Sequence, residues 1–329
     1  MEKSLYVFIG VDISKDKFDV YFKTFEGQIV KAKYSNDTEG FLEFISKLPD
    51  NAWVVMEASG PYYYQLASFL YEQGIEVSVI NPLVIKRFIQ MQLKRTKTDS
   101  ADAQSIATYG GIMEIKPWEP LKECYLQIKQ WYTYRKQLMK HQHAIRMKME
   151  AFIATGPVNE HIRKAIEEEL FRVDENLKMT DKQLNELIEK ENGELKKQLE
   201  SIPGIGPKTS LLLIVALRGF TSFDNYKQVI SYLGLSPRIY ESGTSVKGKA
   251  KICKMGMSEV RKCLYMAAIS AKIHNEPCKD LYLRLRSKGK AHKVAMIAVV
   301  NKLIKQVFAI AKSGIPFDKN YCSSKALAK

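Results

Sequence analysis

Four carboxylates in the first third of this 329-residue chain stand at positions suited to chemistry. Asp12 lies near the end of the apolar stretch LYVFIGVDI (residues 5–13), where side chains turn from core to solvent. Glu57 occupies the equivalent end of WVVME (53–57) and is followed by the turn Ser59-Gly60-Pro61. Asp99 and Asp102 are spaced i, i+3 in KTDSADAQ, so a helix there puts both on one face. Converging acids of this kind hold divalent cations, since hard ions take oxygen ligands and several carboxylates are needed to balance two of them. Such an ion pair clamps the attacking and leaving oxygens of phosphoryl transfer, which predicts Mg2+ (or Mn2+) at Asp12, Glu57, Asp99 and Asp102. The plainer reading makes Asp99 a helix N-cap and Asp12 an ordinary strand-end acid.

A second set of residues lies beyond Ser201. Ser242, between Glu241 and Gly243, has a small neighbour and a hydroxyl able to approach a phosphate, with Thr244 and Ser245 as close rivals. SIPGIGPKTS (201–210) carries the Pro-Gly-Ile-Gly turn of a helix-hairpin-helix, in which Gly204, Gly206 and Lys208 would meet a DNA phosphate. Its simpler alternative is a glycine turn before the apolar helix Leu211 to Leu217. Lys247, Lys249, Lys251 and Lys254, then Arg284, Arg286, Lys288 and Lys290, are either phosphate-neutralising residues or a solvated basic face. Tyr240 and Tyr282 could stack on bases, although packing is the commoner use of a tyrosine.

The elements that must position the acids read clearly. Residues 5–13, 17–24 and 27–33 form three strands in an antiparallel meander. A helix capped by Asn36, Asp37 or Thr38 and ended by Pro49 follows, then strand 53–57, helix 62–73 stopped by Gly74, strand 76–80, and helical stretches from Leu83 to about Met113. The order βββαβαβα is that of a ribonuclease H-like domain over residues 1–115, a mixed sheet flanked by helices.

Pro117 and Pro120 mark its end. Leu121, Cys124, Ile128, Trp131, Leu138, Ile145, Met149 and Phe152 then fall on a 3-4 spacing, interrupted by Arg135 and Gln142, and Gly156-Pro157 separates this helix from a second. Residues 118–200 are thus a connector, either an antiparallel hairpin, an intermolecular coiled coil for oligomerisation, or a plain spacer. Residues 201–329 form a mostly helical domain, with a helix at Asn225 to Leu233 and amphipathic helices at Val260 to Ile273 and Lys293 to Ala311, the last two joined by a segment that includes the basic stretch Arg284 to Lys293.

Composition agrees with a nucleic-acid partner without proving one. Lys+Arg 51 against Asp+Glu 36 leaves a charge of +15. Five scattered cysteines (Cys124, Cys253, Cys263, Cys278, Cys322) show no C-x-x-C pair, against a zinc site or disulfide framework. Apolar runs such as Val294 to Val300 are too short to span a bilayer, so a soluble cytoplasmic protein with no membrane partner is expected.

Six ordered motifs, GVDISKDKFDV, VVMEASG, INP with KTDSADA, SIPGIGPKTS, GLSPRIYESGTSVKGK and GKAHKVAMIAVVNKL, closely resemble the DEDD-type insertion-sequence transposases, whose members are guided by a bridge RNA. The resemblance covers nearly the whole chain. It implies a RuvC-like N-terminal domain with acids Asp12, Glu57, Asp99 and Asp102, and a C-terminal transposase domain with Ser242 as nucleophile. It further implies cutting and rejoining of donor and target DNA through a transient phosphoserine link, a guide RNA partner, and a homodimer or homotetramer in which acids and serine come from different chains. Two rivals are a metal-dependent, Holliday-junction-type endonuclease with water as nucleophile, and a non-catalytic architectural DNA-binding protein.

Overall fold

The computed structural model describes residues 5–93, 98–238, 241–242, 246–247 and 251–319. They divide into two compact units, 1–121 and 122–329.

The first unit is built on a five-stranded sheet. Strands β1 (Val7–Ile13), β2 (Lys17–Lys23), β3 (Ile29–Ser35), β4 (Ala52–Glu57) and β5 (Glu76–Ile80) lie in the order β3-β2-β1-β4-β5. The β1–β2 and β2–β3 pairs are antiparallel, and β1–β4 and β4–β5 are parallel. Helices α1 (Thr38–Ile45) and α2 (Tyr63–Glu72) cover one face, where Phe41, Phe44, Leu66 and Leu70 pack on Ile9, Val11, Phe18 and Val54. Of the three residues able to cap α1, Asp37 does so by accepting from the Gly40 N–H at 2.9 Å. The Asn36 amide instead donates to the carbonyl of Ser14 at 3.0 Å, tying the end of β3 to the turn after β1.

Helices α3 (Pro82–Met91) and α4 (Asp99–Ile112) cover the other face, with Ile85, Phe88, Ile106 and Tyr109 against Trp53 and Val55. Strand alternation puts Phe8, Gly10 and Asp12 of β1 on this face. A Cβ built on Gly10 would lie 2.0 Å from the Ala103 carbonyl oxygen and 2.4 Å from the Ala107 amide nitrogen of α4. One built on Gly110 would meet the Val55 side chain at 2.7 Å. Glycine at both sites lets the helix lie almost directly on the strands. Because Gly110 sits over Phe8 and Val55 while Ala103 sits over Gly10, α4 runs antiparallel to β1, and its N-terminal turn reaches the end of the strand that carries Asp12.

The second unit begins with the helical hairpin α5 (Glu123–Thr155) and α6 (Glu160–Glu200). Leu138, Ile145 and Val173 form its own small core. The two polar interruptions of the apolar spacing are paired across it, Arg135 with Asp181 and Gln142 with Asp174. The base of the hairpin merges with α7 (Pro207–Leu217), α8 (Tyr226–Tyr232), α9 (Ser258–His274), α10 (Glu276–Ser287) and α11 (His292–Ser313), since Ile128, Leu184, Ile188 and Leu199 belong to the same buried cluster as those helices.

Two sequence expectations need correction here. The basic segment from Arg284 is helical at both ends and joins two helices only over residues 288–291: α10 carries Arg284 and Arg286 in its last turn, with Asn275 capping by accepting from the Cys278 N–H and Pro277 in the first turn. Counting uninterrupted apolar residues also understated α11, which is long and apolar enough to cross a membrane. Its Met296, Val299, Val300, Leu303, Ile304 and Val307 are fully buried among the helices of this unit, which makes it a core helix.

Gly10→Ala is expected to destabilise the fold by about 3 kcal/mol, the upper range for overpacking, because the atoms it strikes are backbone and cannot rotate away. Urea unfolding followed by circular dichroism would measure it. A midpoint equal to that of the parent would mean that α4 does not rest on β1 in this way.

Candidate active site

The first unit gathers acids at one end of its sheet. Asp12 stands directly opposite Asp19 in the β1–β2 ladder, and Val11 opposite Met56 in the β1–β4 ladder, so Asp12 and Glu57 end neighbouring strands. Asp99 and Asp102 lie in the first turn of α4. Thr98, not Asp99, caps that helix by accepting from the Ala101 N–H at 3.2 Å, so capping does not account for Asp99. Both acids remain favoured by the helix dipole.

Asp12 lies in the field of the other three acids. Burial, then the charges of Asp102, Asp99, Glu57 and Asp19, push the Asp12 carboxyl up to about 7. Among the described residues, no three His, Cys, Asp or Glu side chains are drawn tightly enough together to hold a metal ion. The arrangement is therefore a cluster of mutually repelling oxygen donors and not a closed cage.

Three further residues join this cluster. Asp19, almost buried, pairs with Lys33 of β3 at 3.2 Å. The same lysine is in the field of Asp99, and both acids hold its ammonium above the usual range, Asp19 foremost. Ser59 donates to the Glu57 carboxylate at 2.5 Å, fixing one of its oxygens. Sequence reading missed Asp19, whose place beside Asp12 is set by the β1–β2 register.

In the second unit, Ser242 lies on the two-residue strand β7 (Glu241–Ser242), opposite Val246 of β8 (Val246–Lys247). Strands β6 (Pro237–Arg238) and β9 (Lys251–Ile252) pair beneath it in sequence. A stretch read as loop thus contains two short ladders. Tyr240, Thr244, Ser245 and Lys249 lie outside the described residues.

The neck of this segment is built on two glycines with positive φ that sequence reading did not single out. A Cβ on Gly234 would lie 2.3 Å from the Met255 carbonyl oxygen, and one on Gly256 would lie 2.3 Å from that of Tyr232. Main-chain bonds from Lys254 to Gly234 and from Cys253 to Ser236 close it, and Arg261 of α9 donates to the Leu233 carbonyl at 3.0 Å.

The predicted nucleic-acid residues are dispersed over this unit. Gly204 is pressed onto α9, where a Cβ would meet Ala271 at 2.7 Å, so helix packing explains it. Gly206 and Lys208 are exposed at the start of α7. Lys251, Lys254, Arg284, Arg286, Lys288 and Lys290 are exposed, and Lys247 lies on β8. Tyr282 is occupied within the fold, bonded to His292 at 2.8 Å and covered by the Lys272 ammonium.

The raised Asp12 fixes a pH dependence. Its folded value lies above the unfolded one near 3.8, so the carboxyl favours the fold below that value and progressively costs stability as pH rises toward about 7. In metal-free buffer Asp12→Asn should therefore raise the thermal midpoint by roughly 5 °C at pH 8 and leave it nearly unchanged at pH 4. Scanning calorimetry at the two pH values checks this, and an equal shift at both would rule out the crowding of charges as its cause.

Two family models match the chain in succession, the first running from the sheet unit through most of α5. Residues 9–154 match the family model of the DEDD transposase domain of IS110 type, described as a transposase, and residues 196–283 match that of the transposase IS116/IS110/IS902 family. The chain is 29% identical over 325 residues to the pilin gene-inverting protein of Moraxella bovis, covering 95% of this chain and 98% of that one. It is 22% identical over 332 residues to the transposase for insertion sequence element IS1111A of Coxiella burnetii, covering 92% and 88%. A 43.6 kDa protein of insertion element IS110 from Streptomyces coelicolor is 28% identical over 159 residues, 48% of this chain and 38% of that one. With its acid-bearing unit and its helical unit each matched, in order, by models of one family, the chain belongs to the DEDD-type transposases of the IS110 family.

Proposed function

We propose that this transposase cuts and rejoins DNA by attack of Ser242 on a phosphodiester, with Asp12, Glu57, Asp99 and Asp102 holding Mg2+ or Mn2+ in a ribonuclease H-like, RuvC-like domain. The observation that carries the proposal is the charge crowding around Asp12, which lies in the field of acids from the neighbouring strands and from the first turn of one helix. The strand order β3-β2-β1-β4-β5, with an antiparallel meander feeding a parallel pair of crossovers, supports the fold assignment.

The donor set suits such an ion. All four ligands are carboxylates, and the burial and repulsion that keep Asp12 protonated near neutrality are relieved by a divalent charge. Once bound, the metal supplies Lewis-acid polarisation of the phosphate. Glu57, with one oxygen engaged by Ser59, presents the other, and the first turn of α4 presents Asp99 and Asp102 from a rigid helix that rests on β1. In the strand transfer the Ser242 oxygen forms a bond to phosphorus while the strand's own P–O bond breaks, and the departing oxygen takes up a proton. The energy of the phosphodiester is retained, so rejoining needs no nucleotide cofactor.

The exposed cations Lys208, Lys251, Lys254, Arg284, Arg286, Lys288 and Lys290 supply phosphate contacts, along with Lys247 and Lys249. The proposal includes a bridge RNA as guide, donor and target DNA as substrates, and a homodimer or homotetramer sharing composite sites, all carried over from the resemblance to the family. The name borne by the Moraxella relative, a pilin gene-inverting protein, extends the reading to inversion of a DNA segment.

Ser242→Ala should abolish strand exchange, and denatured reactions of the parent should contain protein attached covalently to DNA. Exchange persisting in Ser242→Ala would reject the serine and favour water as nucleophile. The double change Asp99→Asn with Asp102→Asn should reduce cleavage at least about a hundredfold while nucleic-acid affinity stays within about threefold. Gel assays of cleavage and binding separate the two, and undiminished cleavage would remove the acids from the chemistry.

A further inference from the structure

Beside the acid cluster, the sheet sets one row of charged residues across three strands. Register places Asp12 of β1 opposite Asp19 of β2, and Asp19 opposite Lys33 of β3, all on the face covered by α4. Adjacent strands lie about 4.8 Å apart, so Lys33 stands roughly 10 Å from Asp12 along this row. It is the cation that pairs with Asp19, at 3.2 Å, while half of its side chain stays in solvent.

Stability alone is a poor reason for this pair. A half-exposed lysine–carboxylate bridge contributes about 0–1 kcal/mol, and the Asp19 charge adds to the repulsion on Asp12. A neutral residue at position 19 would avoid that repulsion and need no cation. What Asp19 does provide is a fixed place for an ammonium: an unrestrained lysine gives up about 2 kcal/mol of rotamer entropy when it is immobilised. An ammonium has three donors, and the Asp19 bond occupies one.

We propose that Lys33, positioned by Asp19, binds a backbone phosphate of the DNA strand cut at the acid site, close to the scissile bond. The inference rests on the proposed metal-assisted cleavage at Asp12. Lys33 is then a positioning residue, setting the register of the strand against the acids. Lys31, two residues away on the same strand and face, lies in the next row opposite Tyr21, with its ammonium 6.0 Å from that ring, and serves as the control for charge alone.

The test uses the full chain with its co-purified RNA and a DNA duplex carrying the sequence that flanks the gene. Lys33→Gln keeps a donor for Asp19 but removes the charge. It should lower the single-turnover cleavage rate at saturating protein about tenfold and reduce the slope of log affinity against log salt by about 0.9, one phosphate contact. Lys33→Arg should stay within about threefold of the parent, and Lys31→Gln should leave the rate within about twofold. An unchanged slope or rate in Lys33→Gln, an equal effect from Lys31→Gln, or a slope change seen only with an RNA hairpin in place of DNA would overturn the proposal. Asp12→Asn measured alongside separates the two claims: cleavage at the parent rate in that variant defeats the acid site itself, whereas its loss with Lys33→Gln behaving as the parent defeats only the role of Lys33.

Discussion

The acid-bearing unit depends on how closely a helix can approach a strand. Carboxylates on α4 reach the end of β1 because residue 10 has no side chain, leaving the Ala103 carbonyl and the Ala107 amide where a Cβ would otherwise sit. Gly110 does the same further along, against Val55. This packing works against electrostatics. Lowering the helix onto the sheet carries two acids toward two others and partly desolvates Asp12, which answers by holding its proton to about 7. Hydrophobic contact elsewhere on the same helix, through Ile106 and Tyr109, must offset that cost. Native structures accept such local penalties mainly where function requires them, and the charge pattern here has the form that a divalent cation relieves.

The helical unit solves a different problem, how to join a long exposed hairpin to a dense core. Near the base, Ile128, Leu184 and Ile188 are fully buried in the common cluster, while farther out the hairpin keeps a narrow seam of Leu138, Ile145 and Val173. A seam that thin specifies register weakly by apolar contact alone. Arg135 with Asp181 and Gln142 with Asp174 supply polar partners at fixed heights, so that sliding one helix along the other would separate both pairs. These residues interrupt the apolar spacing in sequence, and they mark the alignment of the two helices in structure.

Much of this was legible in sequence where period and punctuation agree. Strand alternation, a cap among Asn36 to Thr38, the helix read from Asn225, and the break at Gly156-Pro157 all correspond to observed elements. The four acids were legible individually, since an acid closing an apolar strand and two acids at i, i+3 are local patterns, and in the structure Asp12 lies in the field of the other three. Asp19 and Lys33 were not. Each looks like a routine polar residue on an alternating strand, and only the pairing of three strands puts them in a row with Asp12. Helix α10 was missed because its basic C-terminal half suggested a linker, whereas its start signal, Asn275 followed by Pro277, lies nine residues before Arg284. The neck glycines were missed for a related reason. Gly234 and Gly256 are 22 positions apart, and a requirement for close main-chain approach between them leaves no local trace.

That neck bears on how a serine in such a segment can be placed at all. The β7–β8 ladder pairs two residues on each side, too few to hold a position by themselves. Closing the ends of a segment of this length limits its conformations before any ladder forms, and the closure entropy grows only slowly with length. The clasp is made between backbone groups at Gly234, Ser236, Cys253 and Lys254, and it is fastened to α9 by Arg261. A main-chain clasp tolerates change in the residues it encloses, because it uses none of their side chains. Glycine does the positioning in both units: packing around it lets α4 bring its acids to the end of β1 in one, and a glycine-based neck defines where the serine-bearing segment starts and ends in the other.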